Sequence, residues 1–367
     1  MGVLIKNARV LTQDRKRNFL TGADILVKEN EIERVQKNMR EKAEFTIDAS
    51  HKLVLPGLVN SHTHLAMTLF RGYADDMVLE KWLSEKIWPL EKKLRAGDVY
   101  SGSMLGCAEM IRSGATSFAD MYFFMDEAAR AVRDSGMRAS LSYGMFDFGD
   151  PEKREKELAI ANDFVSGHHN TAGGRVLCSL GPHAIYTCSA EMLLKAKELA
   201  RKRKMKIQIH VSETRKEVYD IMKSHRKRPV EYLDKIGFLG DDVVAAHCGW
   251  VSAREIKLLA ERGVSVAHCP VSNLKLATGG IAPITEMLER GVCVALGTDG
   301  AASNNTLNMF ETMKLSALLQ KHRLWDARAL GAGLALDMAT INGARALGIN
   351  AGSIEKGKLA DIITIDL

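Results

Sequence analysis

The stretch Leu53–Met67, LVLPGLVNSHTHLAM, decides the fold and the chemistry expected of this chain. It begins as an apolar run, which predicts a buried strand, and it ends in Ser61-His62-Thr63-His64. Because side chains at i and i+2 of a strand point the same way, His62 and His64 should project together from its end. Two adjacent imidazoles suit a divalent metal, but an H-x-H pair alone is weak support, so further ligands must come from elsewhere in the chain.

Length and composition are typical of a globular protein. The chain has 367 residues, 46% hydrophobic and 26% charged, which suits one large α/β barrel with a minor appendage. It contains neither an apolar run long enough for a membrane helix nor a signal-peptide pattern, so we expect no membrane association. The six scattered cysteines form no C-x-x-C pair, which favours free thiols and a cytoplasmic location.

A net charge of +6 and basic runs at 200–206 and 225–229 raise the question of nucleic-acid binding. No aromatic residues interleave with these charges, so nucleotide bases would have no stacking platform. The runs fit the polar end of a helix and a solvated loop. We therefore expect no nucleic-acid partner.

Strand-like and helical patterns alternate along most of the chain. Residues 1–50 predict a small β appendage with a hairpin turn at Glu29-Asn30. Amphipathic helices separate the later strands, and several end in glycine, as at Gly136 and Gly263. The eight predicted strands are 53–62, 115–123, 138–146, 175–183, 206–213, 243–248, 264–270 and 292–300.

This alternation predicts an α/β fold, a (β/α)₈ TIM barrel over residues 51–350. A doubly wound open sheet is the alternative, and the lack of a G-x-G-x-x-G loop disfavours it. After the last barrel strand we expect a long helix from residue 309 and another over 335–348. Residues 351–367 should return as a strand to the N-terminal segment, giving a small, discontinuous, β-sandwich-like appendage built from the two chain ends.

Polar residues with metal-binding or acid–base capacity follow the predicted barrel strands. Chemistry in a (β/α)₈ barrel lies at these carboxyl ends, so the recurrence indicates one shared site rather than independent structural roles. The residues concerned are His62, His64, His183, His210, Glu213, His247, His268 and Asp299.

Three imidazoles and a carboxylate can bind one Zn²⁺ or Fe²⁺ and leave a position for water, whose pKa the metal lowers from about 15.7 towards 7. Asp299 can then take a proton from the water, and Glu213 can carry a proton to the substrate and its leaving group. His247 can stabilise the developing negative charge. The set predicts hydrolysis at a C–N or similar centre. The fourth strand contains no lysine to bridge two metals, which favours a single ion.

Several long motifs resemble the amidohydrolase superfamily. More narrowly, they are similar to the 5′-methylthioadenosine/S-adenosylhomocysteine deaminase family, including its 5′-deoxyadenosine deaminase branch. The motifs are PGLVNSHTHLAMTLFRGYADD (56–76), IWPLEKKL (87–94), MLGCAEMIRSGATSFADMYFF (104–124), GPHAIYTCS (181–189), IHVSET (209–214), HCPVSNLKLATGGIAPI (268–284) and LGTDGAASNN (296–305).

The resemblance implies deamination of 5′-deoxyadenosine, 5′-methylthioadenosine, S-adenosylhomocysteine or adenosine to the matching inosine, with release of ammonia. It implies one divalent ion per subunit, zinc first and iron or manganese as alternatives, and a homo-oligomer, most simply a tetramer. The implied metal ligands are His62, His64, His210 and Asp299. The implied catalytic residues are Glu213, His247 and Asp299, and the implied substrate-binding residues are Glu91, His183, Glu213 and Asp299. Trp82 would pack near the purine, Ser303 would help order the site, and His268 would have a structural role.

Two departures from the family pattern bear on the substrate. Tyr143 stands where members that favour S-adenosylhomocysteine carry an arginine for the amino-acid carboxylate, and Arg154 is a loosely aligned substitute. We therefore expect a preference for uncharged 5′ substituents. Family members also continue for some tens of residues beyond the last strand found here, so the resemblance implies an incomplete appendage.

Other functions stay open on the same scaffold. They are deamination of guanine or cytosine, hydrolysis of a triazine, and a non-catalytic scaffold that kept the barrel and lost the chemistry.

Overall fold

Strands from the two ends of the chain pair in one sheet. The structure, a computed structural model, describes residues 2–367. The first five strands are β1 (Gly2–Leu11), β2 (Phe19–Lys28), β3 (Glu31–Gln36), β4 (Phe45–Asp48) and β5 (Lys52–Pro56). Lys28 pairs with Glu31 across the two residues Glu29-Asn30, which confirms the predicted hairpin turn. This sheet runs in the order β5, β1, β2, β3, and β4 adds to it along β1.

The remaining strands, up to residue 296, form two parallel sheets. They are β6 (Leu58–Thr63), β7 (Ala115–Tyr122), β8 (Arg138–Met145), β9 (Val176–Cys178), β10 (Gly181–Pro182), β11 (Ile207–Val211), β12 (Val243–His247), β13 (Ser265–His268) and β14 (Cys293–Leu296). Parallel bridges from Leu180 to Ile207 and from Ala184 to His210 join the two sheets. At the other seam, the Asp299 N–H donates to the His62 carbonyl at 2.9 Å. The strands thus follow the predicted order of a (β/α)₈ barrel.

The predicted first barrel strand is in fact two strands in different sheets. β5 ends at Pro56 and belongs to the sheet of the chain ends, whereas β6 starts at Leu58 and pairs with β7. The last strand, β15 (Ile362–Asp366), pairs antiparallel with β5. Between them, a Cβ on Gly57 would lie 2.1 Å from the Thr116 hydroxyl oxygen, so only glycine fits this crossing.

Helices follow the barrel strands. They are α1 (Leu79–Lys81), α2 (Trp88–Glu91), α3 (Ala96–Arg112), α4 (Met125–Ser135), α5 (Pro151–His168), α6 (Thr171–Gly174), α7 (Ala190–Arg203), α8 (Arg215–His225), α9 (Pro229–Lys235), α10 (Ala253–Glu261), α11 (Pro270–Lys275), α12 (Ile284–Glu289), α13 (Ala301–Asn304), α14 (Met309–Leu324), α15 (Ala332–Met338) and α16 (Ile341–Leu347). A 3₁₀ helix covers Leu65–Phe70, and a π-helix covers Trp82–Ile87. Within residues 2–367, no helix combines the length and apolarity needed to span a bilayer.

The single helix predicted over 335–348 is wrong. The structure has α15 and α16 instead, and the chain leaves the helical region at Thr340, where φ is −130° and ψ is −92°. The Thr340 hydroxyl donates to the Leu336 carbonyl at 2.6 Å, a local bond that competes with the helix ladder. The apolar periodicity thus continues across a break in the helix that it does not reveal.

The core lies between the barrel strands and the surrounding helices. α4 shows why these sequences pack this way, since its apolar residues Met125, Ala128 and Val132 share one buried face. The helix ends at Gly136, which has the left-handed φ of 83° that the end of a helix favours. This scaffold holds the carboxyl ends of the strands in place around the site.

Candidate metal centre and active site

Three histidine side chains meet at the carboxyl ends of the barrel strands. His62 and His64 come from β6 and the residue after it, and His210 comes from β11. Their candidate ligand nitrogens all lie within 4.8 Å of one another. β6 is buried over its whole length, so its alternation directs both histidines to the same side.

Hydrogen bonds determine which nitrogen each ring turns inward. Nδ1 of His64 donates to the Met121 carbonyl at 2.7 Å, and Nδ1 of His210 donates to the His183 carbonyl at 2.9 Å. With these tautomers assigned, each Nε2 carries a lone pair, and the two Nε2 atoms lie only 3.3 Å apart. Nε2 of His62 is buried and has no hydrogen-bond partner within residues 2–367. Converging lone pairs of this kind fit a bound cation.

Asp299 brings a carboxylate to the same point. Its Oδ1 lies 3.2 Å from Nε2 of His64 and 3.7 Å from Nε2 of His62. Its Oδ2 accepts hydrogen bonds from the hydroxyls of Ser272 and Ser303. Burial would raise the pKa of Asp299, but the neighbouring histidines, His64 foremost, hold it well below its usual range. The carboxylate is thus ionised and available to a metal.

Burial keeps two of the three clustered histidines, His62 and His210, neutral. It lowers the pKa of His62 well below the ordinary value, with His64 the next cause, and it does the same for His210, with His183 the next cause. Neutral imidazole is the form that binds a metal. Three nitrogens and one carboxylate oxygen are a donor set that zinc accepts, so the residues present fit a divalent ion.

Glu213 and His247 lie beside this cluster. Both are buried, and Nε2 of His247 is 3.8 Å from Oε2 of Glu213. Nδ1 of His247 donates to the Asn273 side-chain oxygen at 2.9 Å, which turns Nε2 towards the site. Burial raises the pKa of Glu213. Burial disfavours the charged form of His247, but the carboxylates of Glu213 and Asp299 outweigh it and raise the pKa of His247.

Residues with left-handed backbone conformations occur at three of the strand ends that build the site. The φ values are 52° at Ser212, 70° at His247 and 63° at Asp299. Non-glycine residues rarely adopt this region, and its cost is tolerated mainly where function requires it. The strain falls where the chain must turn a side chain towards the site.

A cavity opens above the cluster and brings all four predicted substrate-binding residues together. Trp82, Glu91, His183 and Ser303 line it together with His64, His210, Glu213, His247 and Asp299. The Tyr122 hydroxyl donates to Oε1 of Glu91 at 2.8 Å, and burial raises the pKa of Glu91. Burial lowers the pKa of His183 to about 3, so its ring is neutral. His268 is also buried, but it is not among the described residues that line this cavity.

A second cavity of about 990 Å³ adjoins the first, and the two share Trp88, Glu91, Phe123 and Phe146. Tyr143 lines the second cavity, together with several phenylalanines. Arg154 instead lies 3.6 Å from Oδ2 of Asp147 and, within the described residues, lines neither cavity. Among the described residues, no arginine lines either cavity, and the basic residues of the second cavity are Lys92 and Lys153.

Three supporting residues are not among those that the sequence predicts. Ser272 and Asn273 lie in α11, after β13, and hold Asp299 and His247. Glu217, in the first turn of α8, binds the backbone of Ser212 and Glu213. The spacing of Thr214 and Glu217, T-x-x-E, is the one signal that could have drawn attention to it.

Comparisons with known proteins agree with this geometry. A model described as "Amidohydrolase family" matches residues 53–367. The chain is 50% identical over 365 residues to a 5′-deoxyadenosine deaminase of Methanosarcina mazei, covering 100% of this chain and 84% of that protein. Among solved structures, a zinc-bound adenosine deaminase from Xanthomonas campestris is 36% identical with a TM-score of 0.94, covering 100% of this chain and 84% of that one. A zinc-bound atrazine chlorohydrolase from Arthrobacter aurescens is 26% identical with a TM-score of 0.93, covering 100% and 87%.

Proposed function

The chain belongs to the amidohydrolase family, and on that premise we propose that it is a hydrolase that deaminates 5′-modified adenosines, with 5′-deoxyadenosine as a substrate. The observation that carries the proposal is the 50% identity, over the whole chain, to a 5′-deoxyadenosine deaminase. The cluster of His62, His64, His210 and Asp299 beneath a cavity supports it independently.

Each residue has a role in the proposed reaction. Zinc held by His62, His64, His210 and Asp299 would supply the Lewis acidity that makes water a nucleophile near neutral pH. Asp299 would take the proton that water loses. Glu213 would protonate N1 of the purine and then the departing amine.

His247 would stabilise the negative charge that develops when water adds to C6 of the purine. Its raised pKa supports this role, because it favours the protonated ring, which carries a positive charge and an Nε2–H donor. Water adds at C6 and ammonia leaves, so adenosine plus water gives inosine plus ammonia. His183 is neutral and would contact the substrate by a hydrogen bond rather than by charge.

Glu91 would recognise the sugar at the outer end of the cavity, where its carboxylate can accept hydrogen bonds from the ribose hydroxyls. The second cavity begins at the shared residues Trp88 and Phe146, so a 5′ substituent has room to extend there. The basic residues of its lining are Lys92 and Lys153, and neither can bind a carboxylate with the two parallel hydrogen bonds of an arginine; we therefore include a preference for uncharged 5′ groups in the proposal.

The finer assignments are part of the same proposal. We propose one zinc ion per subunit, a homotetramer and a cytoplasmic location. All six cysteines are free and buried, which supports a reducing compartment. Metal analysis and light scattering of the purified protein test the first two.

The main experiment offers zinc-loaded protein a panel of substrates at equal concentration and follows ammonia release. We expect turnover of 5′-deoxyadenosine and 5′-methylthioadenosine, and slower turnover of S-adenosylhomocysteine. Guanine, cytosine and a chlorotriazine test the other reactions of the fold. Turnover of these three alone, or of no compound at all, would rule the proposal out.

A further inference from the structure

Glu217 is a buried carboxylate that the proposed reaction does not use. It is only 5% exposed and lies in the first turn of α8. Its Oε1 accepts the Ser212 N–H and its Oε2 accepts the Glu213 N–H, both at 2.8 Å. One carboxylate therefore holds two consecutive backbone donors, the second of which belongs to the proposed acid–base residue.

The backbone needs this carboxylate. β11 ends at Val211, so the next two N–H groups lie beyond its pairing with β12. The left-handed φ of 52° at Ser212 turns these N–H groups to the same side, an arrangement that binds anions. Without Glu217 both would be buried donors lacking an acceptor, which is costly.

Helix α10 of the same chain shows how a glutamate in the first turn of a helix usually caps that helix. Oε2 of Glu255 accepts the N–H of Ser252, the residue that precedes α10, at 2.8 Å, and the Ser252 hydroxyl accepts the Glu255 N–H. In α8 the Thr214 hydroxyl likewise accepts the Glu217 N–H at 3.0 Å. The carboxylate of Glu217, however, passes over Thr214 and reaches Ser212 and Glu213. Helix capping alone does not require this longer reach.

We infer that Glu217 is a positioning residue: its carboxylate clamps the left-handed turn at Ser212 and so aims the Glu213 side chain at the cavity beside His247. The part played by Glu213 in catalysis rests on the proposed function. The clamp on the backbone does not.

Glu217→Gln tests the clamp with minimal change of shape, since an amide keeps one acceptor and puts an NH₂ group against the other N–H. We expect kcat to fall at least about tenfold, with KM and zinc content within about twofold of wild type. Glu255→Gln is the matched control, because Glu255 is equally buried but binds the N–H groups of Ser252 and Val230 and the Arg228 guanidinium instead. It should lose thermal stability and keep its kcat. Equal loss of kcat in both variants would overturn the inference.

A double variant separates positioning from general damage. If Glu217 acts through Glu213, Glu213→Gln with Glu217→Gln should be no slower than Glu213→Gln alone. A further loss in the double variant would contradict the inference. If Glu217→Gln does not fold, Glu217→Asp keeps the carboxylate but shortens its reach to the Ser212 and Glu213 N–H groups. It should fold and still lower kcat, and a wild-type kcat in folded Glu217→Asp would overturn the inference.

Hydrogen–deuterium exchange gives a readout that needs no substrate. The Ser212 and Glu213 amides should exchange at least about tenfold faster in Glu217→Gln and at the wild-type rate in Glu255→Gln. Unchanged exchange in Glu217→Gln would refute the clamp even if kcat fell. Should wild-type protein deaminate no nucleoside, the proposed function would fail while this measurement still decided the clamp.

Discussion

Glu91→Gln tests sugar recognition, since the structure limits what the substitution removes. Oε1 of Glu91 accepts the Tyr122 hydroxyl at 2.8 Å, and within residues 2–367 Oε2 accepts no hydrogen bond. Glutamine keeps the acceptor for Tyr122 but places an NH₂ group where Oε2 stood. It can no longer accept a bond from a ribose hydroxyl there.

The magnitude follows from this loss. A hydrogen bond to a charged group contributes about 1.5–3 kcal/mol, which corresponds to about a tenfold to 150-fold fall in kcat/KM. The assay measures ammonia release from 5′-deoxyadenosine and from its analogue lacking the 2′ and 3′ hydroxyls. Removing the hydroxyls from the substrate should lower kcat/KM of the wild type by a similar factor. In Glu91→Gln the same change of substrate should lower kcat/KM only slightly.

Glu85→Gln is the control, because Glu85 lies on the same segment and is exposed. It should behave like wild type on both compounds. The reasoning about Glu91 fails if Glu91→Gln lowers turnover of both compounds by the same factor, or if it leaves turnover of the riboside unchanged.

Three further outcomes follow from the structure. Glu213→Gln should lower kcat by about 10²- to 10⁴-fold and retain zinc by elemental analysis, because the proton carrier is lost while the ligands stay; near-normal turnover would contradict the assignment. Glu217 concerns pH. Burial raises its pKa from 4.5 to about 7, so the folded state keeps this proton to higher pH, and the stabilisation present below about pH 4.5 is lost as pH rises to about 7. The unfolding free energy of wild type, measured with urea, should therefore fall relative to that of Glu217→Gln as the pH rises from about 4.5 to about 7. A rise relative to Glu217→Gln would contradict this prediction. Gly343→Ala should cost about 1–3 kcal/mol in thermal unfolding, since a Cβ there would lie 2.6 Å from Cβ of Val59, whereas Gly333→Ala, with nothing within 4 Å, should be tolerated; equal effects would argue against crowding at Val59.

Apolar runs predicted the barrel strands because parallel strands buried on both faces are continuously apolar. The breaks within two of these runs could not be seen in the same way. At Gly57 the chain changes sheets, and between Cys178 and Gly181 its pairing with β8 is interrupted, where Leu180 bridges to Ile207. Both changes depend on distant partners, Ile362 and Ile207, that no local pattern reveals.

The convergence of His62, His64, His210 and Asp299 could be anticipated from the rule that barrel chemistry lies at the carboxyl ends of strands. The groups that hold them could not. Ser272, Asn273 and Glu217 act from neighbouring helices, and their polar side chains read locally as ordinary helix-start residues. Glu91 was assigned by resemblance alone, because a glutamate on a helix is usually a surface residue.

The crossing at Gly57 also limits how the protein can move. A hinge needs several residues whose backbone torsions are free to change. Pro56 is paired with Ile362, the Gly57 N–H donates to the Asp361 carbonyl at 2.8 Å, and Leu58 already begins β6. No free residue separates the sheet of the chain ends from the strand that carries His62. The two should therefore rotate as one rigid body, and access to the candidate metal centre should come from motions of the loops above it rather than from opening at Gly57.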